Sequence, residues 1–177
     1  MVRFLLTAAA VPGPPLDDFY KTVAGISFTL LGLWWIVVQL KYAEGAGDPT
    51  RRRHAYGVMM YFLLPGVMTL VSAVNSDHLS LLWRLAFGVA AVLGLLEIIL
   101  FWVTPGAKSL PATALRVFAL ALYGLILAFA IHPKLPVQVG LGLTPREAEA
   151  ILVGLLIVVG VNLAWLGVTE SGETAGA

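Results

Sequence analysis

Cysteine is absent from the 177 residues and charge is scarce: Asp, Glu, Lys and Arg together make up 12% of the chain. The first absence excludes disulfides, thiolate metal sites and thiol catalysis. The second excludes an ordinary soluble domain, whose wetted surface usually needs about 25% charged residues. Histidine is rare too, and His54, His78 and His132 lie in three separate connections with no pair at ligand spacing. Carboxylates paired for acid–base hydrolysis, a glycine-rich phosphate loop and a nucleophile elbow are all missing. The reading is therefore non-enzymatic, with no cofactor and no metal. The net charge of +1 and the lack of a basic cluster interleaved with aromatics leave no nucleic-acid partner.

What the chain has instead is hydrophobic length. Apolar residues reach 59% and mean hydropathy is +0.91. Long apolar runs are separated by Pro, Gly or charge, and five of them approach the roughly 20 residues that a helix needs to cross the hydrocarbon layer. They cover about 22–40, 55–74, 81–103, 112–131 and 148–168, followed by a short polar tail, 169–177. Helix is the form that satisfies its own backbone in lipid. The expected fold is all-α: one polytopic bundle of five membrane-spanning helices occupying the whole chain. No internal repeat stands out, and an odd number of spans does not suit a duplicated half. Met1 to Ala10 reads as a short apolar segment near the membrane surface, or less well as a signal peptide.

The helix starts are marked. Thr144-Pro145-Arg146-Glu147 has the form of a capping box with Pro at the first helical position. Asp48-Pro49 opens the second helix before the lipid. Pro14-Pro15-Leu16-Asp17-Asp18 places prolines and acids at the entry to the first, as the helix dipole favours. Lys41, Arg51, Arg52 and Arg53 form the densest basic cluster. Positive charge favours the cytoplasm, so this loop is placed inside, the N-terminus outside and the C-terminus inside. Lys134 and Arg146 oppose that orientation. Arg51, Arg52 and Arg53 serve as topology determinants or as contacts to anionic headgroups.

Ionisable groups at membrane depth are costly and mark function by default. Glu97 lies deep in the third span, on a stripe with Ala86, Ala90 and Gly94 that suits close helix approach. Counting outward from the Pro105-Gly106-Ala107 turn, Arg116 on the fourth span mirrors Glu97, so an ion pair is expected there. Asn162 reaches a similar depth on the fifth span, and Gln39 lies at the edge of the same layer on the first. These four form the candidate polar layer, serving either as interhelical glue or as a path for ions or protons. Pro65-Gly66 predicts a kink in the second span, because Pro removes one donor and crowds the carbonyl of Tyr61. Arg84 is expected to snorkel outward or to pair with Asp77, while Trp34 and Trp35 suit packing.

These features fit a scaffold or accessory subunit of a membrane assembly first. A small oligomeric channel or transporter with Glu97 in its path comes second, and a lipid-binding membrane protein third. Lipids, further copies of the chain or other membrane proteins are the expected partners.

Overall fold

A computed structural model of the chain describes residues 16–42, 49–74, 80–103 and 109–173. Met1 to Ala10, Asp48, Asp77, His78 and the Pro105-Gly106-Ala107 turn lie outside them. The described residues are helical with no strand: α1 (Leu16–Tyr42), α2 (Pro49–Val74), α3 (Ser80–Val103), α4 (Leu110–Ile131), the single turn α5 (Leu135–Gln138) and α6 (Pro145–Glu173). All but α5 are long and apolar enough to cross a membrane. The helices begin up to six residues ahead of the apolar runs. Proline explains this at α2, α4 and α6, where it occupies the first or second helical position and needs no backbone partner there.

Helix α2 is the hub. It touches α1, α3 and α6, and α4 closes a ring by touching both α3 and α6. Accordingly 61% of its apolar window is buried, against 22–39% in the other four. Helix α1 lies outside the ring, packed chiefly on α2. All five long helices thus run from one end of the bundle to the other. One end gathers the starts of α1, α3 and α6; the other, the basic end, carries Arg51, Arg52 and Arg53.

Close contacts between helices occur where a side chain is missing. Gly94 on α3 receives the Tyr123 ring of α4, and Gly160 on α6 receives Tyr61 and Phe62 of α2. The Tyr61 and Tyr123 rings meet in mid-ring, with centroids 6.2 Å apart. Gly66 lies against Ser27 and Phe28 of α1, so half of the Pro65-Gly66 pair is a packing contact. Helix α2 continues through Pro65. Thr69 Oγ1 donates to the carbonyls of Pro65 and Gly66, at 2.7 and 3.1 Å.

The capping box at the head of α6 forms as its sequence predicts. The Thr144 backbone N–H donates to Glu147 Oε2 at 2.7 Å, and the Glu147 N–H returns a bond to Thr144 Oγ1 at 3.3 Å. In the approach to it, Gly140 and Gly142 take φ values of 76° and 65°. Only glycine adopts that region without strain, which explains why the turn is written with two of them.

Candidate functional site

Two buried polar clusters occupy the opposite ends of the ring. At the basic end, Glu97 on α3 points its carboxylate at Gly57 of α2, where any side chain would collide with it. Arg116 on α4 is 1% exposed, and its guanidinium lies 3.5 Å from the centroid of the Phe101 ring, a cation–π contact. Arg116 and Arg53 are the cations that act electrostatically on Glu97, and Glu97 in turn acts on Tyr61 and Tyr123. Glu97 and Arg116 therefore act on each other electrostatically across α3 and α4, near Tyr61 and Tyr123, but the expected ion pair between their side chains is not seen among the described residues.

The layer does not extend to Asn162 or Gln39. Asn162 is exposed on the outer face of α6 and its Nδ2 donates to the Val158 carbonyl one turn back, at 2.8 Å. Its face is shared by Ile151, Leu155, Val158 and Trp165, all exposed. Gln39 is likewise exposed on α1. Both have the depth of the layer, but helical phase turns them outward.

The second cluster lies at the other end, and no sequence motif marks it. Glu149, on the second turn of α6, is 0% exposed. Among the described residues, neither of its carboxyl oxygens has a hydrogen-bond partner. The Trp83 indole of α3 approaches it without meeting hydrogen-bond geometry. Tyr20 of α1 is also 0% exposed, and its hydroxyl donates to the Arg146 carbonyl at 2.7 Å. Arg146 bridges the helices over this pocket: its Nη2 bonds Asp17 Oδ1 on α1 at 2.8 Å and the Ser72 carbonyl on α2 at 3.2 Å. Phe87 seals the inner side, edge-on to Tyr20 with centroids 6.4 Å apart.

The sequence signal for Glu149 is its helical phase. It shares a stripe with Val153, Leu156, Gly160 and Leu163, which all face the core. Glu147, two residues earlier, is held outward by the capping box, and a carboxylate so near a helix start reads as part of the cap.

Arg84 neither points freely outward nor needs Asp77. It donates to the last carbonyls of α4, Ala130 at 2.7 Å and Ile131 at 2.9 Å, so it closes that helix end. Trp34 is 3% exposed and its indole donates to the Ala55 carbonyl at 2.9 Å, whereas Trp35 faces out.

Between the clusters the described side chains of the ring are mostly apolar, with Thr69 buried on α2 and bonded back to its own helix. Gly160, the contact of Tyr61, follows Glu149 by eleven residues on α6, or about 16 Å of helix. Phe87, Ala91, Ile126 and Leu156 fill that interval and are all 0% exposed. These buried side chains separate the two clusters along the ring. The arrangement offers two separated carboxyl sites with a packed, largely apolar section bounded by aromatic rings between them.

No family model, curated protein or solved structure matches this chain.

Proposed function

We propose that the chain is a multi-pass membrane protein that carries protons or small cations between its two carboxyl sites, Glu149 at the outer end and Glu97 at the cytoplasmic, basic end. The observation that carries this reading is Glu149: a carboxyl with no exposure and no hydrogen-bond partner among the described residues, in a helix apolar enough to span the bilayer. A buried polar group left unsatisfied costs about 1–3 kcal/mol, and interhelical glue would use its donors and acceptors rather than leave them empty. Proton or cation occupancy supplies what the oxygens lack. The apolar barrier argues for a carrier that changes shape over an open channel, with Gly66, Gly94 and Gly160 as the contacts across which helices could shift.

The test is flux in liposomes. Native protein should move protons or a monovalent cation above the background of empty vesicles, and Glu149→Gln or Glu97→Gln should return flux to background while the chain stays folded. A folded native protein that moves neither protons nor any cation tested under any gradient would remove the carrier reading.

A scaffold or accessory role is the second reading, favoured by Asn162. A polar amide on an otherwise apolar outer face suits hydrogen bonding to another helix in the membrane. That role predicts that Asn162→Leu separates the chain from its partner, or from a second copy, and leaves Glu149 without influence on anything but stability.

A further inference from the structure

An independent feature lies at the basic end. A groove of about 440 Å3 opens between α1 and α2, lined by Trp35 and Val38 from the first and by Arg52, Arg53, Tyr56 and Met59 from the second. Its α2 wall is a single helical stripe, since 52, 56 and 59 recur at the i, i+4, i+7 spacing. The two helices are pinned behind the groove by the Trp34–Ala55 hydrogen bond, so it is a fixed feature of the α1–α2 contact. Trp35 and Tyr56 are each 54% exposed and flank it. Both arginines are exposed. Arg52 makes no hydrogen bond or ion pair among the described residues, and the one hydrogen bond shown for Arg53, to the Leu100 carbonyl, is long at 3.4 Å. The α3–α4 groove around Arg84 is of similar size and also apolar, but there the guanidinium is already committed to the α4 carbonyls.

We propose that the α1–α2 groove is a binding site for an anionic phospholipid, with the phosphate held by Arg52 and Arg53 and one acyl chain lying between Trp35, Val38, Tyr56 and Met59. Guanidinium groups suit phosphate because their donors pair with its oxygens in parallel. From Arg52 to Met59 the α2 wall rises about 10 Å, enough for the upper part of a chain. Trp and Tyr at the flanks match the headgroup level, where their amphipathic rings concentrate. The site rests on the membrane reading of the bundle and is independent of whether the carboxyl clusters move ions.

Trp35 supplies the reporter. Detergent-solubilised protein is titrated with phosphatidylglycerol or phosphatidylcholine carrying brominated acyl chains, and quenching at Trp35 is read as the difference between the native chain and Trp35→Phe. Phosphatidylglycerol should quench at a concentration at least tenfold lower than phosphatidylcholine. The double change Arg52→Gln/Arg53→Gln should abolish that preference, and Val38→Phe, which narrows the groove without touching charge, should weaken both lipids. Arg51→Gln, outside the groove, should leave the titration unchanged. Equal quenching by the two lipids in the native protein overturns the site. So does an Arg51→Gln effect as large as that of the double change, which would mark diffuse surface charge. Ion flux in the same preparations is read separately, so loss of one behaviour is distinguishable from loss of the other.

Discussion

The Glu149→Met protein should resist thermal unfolding in detergent better than the native chain, by about 1–3 kcal/mol, and should carry no proton or cation flux. The reason is the state of the carboxyl. Glu149 is fully buried and, among the described residues, accepts no hydrogen bond of good geometry, the Trp83 indole only approaching it, so the fold bears its desolvation with little compensation. Methionine has a comparable length, a flexible thioether that fills irregular space, and no polar oxygen to desolvate. The surrounding Tyr20–Arg146 and Arg146–Asp17 contacts do not involve the Glu149 side chain and should survive. Structural glue makes the opposite prediction: removing a residue that holds the bundle together lowers stability. Differential scanning fluorimetry on purified protein, alongside flux, separates the two. A residue whose loss stabilises the fold and ends activity is one retained for function at the expense of stability.

Gly94→Ala should be among the most damaging single-methyl additions in the chain. In an unhindered helix, alanine gains about 1 kcal/mol over glycine. Here the new carbon would overlap three carbons of the Tyr123 ring, which is 1% exposed and also packed against Tyr61. A buried ring cannot step aside as the tip of a flexible side chain can. Overpacking typically costs about 1–3 kcal/mol and occasionally more, so the clash should outweigh the propensity gain and force α3 and α4 apart. The expected outcome is a loss of thermal stability that Tyr123→Leu in the same chain largely restores. Gly124→Ala is the matched control, since nothing lies within 4 Å of its added carbon; it should be neutral or mildly stabilising. Equal loss in both alanine variants would contradict the ring contact.

The span-length helices were legible in the sequence because each apolar run is long and its ends are punctuated by proline, glycine or charge. The Thr144–Glu147 cap was legible for a local reason: its partners are three residues apart and need no tertiary structure to meet. That Glu97 and Arg116 come within electrostatic range of each other followed from counting out from a hairpin, where depth is set by residue number alone; the direct ion pair, which depends on how the two side chains turn, did not. Depth without phase was the weakness elsewhere. Asn162 and Gln39 have the right height and the wrong azimuth, and the outward stripe through Ile151, Leu155 and Val158 would have shown this for Asn162. Glu149 was hidden by the reverse effect. Its height suggested the interface, and only the inward stripe through Val153, Leu156 and Gly160 marks it as buried. The cation–π contact of Arg116 with Phe101 and the fit of Tyr123 to Gly94 depend on how α3 and α4 rotate against each other, which no single helix specifies.

The measurement that tests the carrier account most directly is modification of Glu149 by a membrane-permeant hydrophobic carbodiimide, followed by peptide mass spectrometry, with flux recorded on the same vesicles. Carbodiimides add to the protonated carboxyl and leave a bulky neutral adduct. The account predicts that Glu149 is modified despite its burial, because carriage requires it to become accessible, and that flux falls in proportion to the modified fraction. Glu149→Gln protein should be insensitive to the reagent at that position. Unchanged flux with Glu149 fully modified would contradict the account, as would a Glu149 that stays unmodified while the protein actively carries protons or cations.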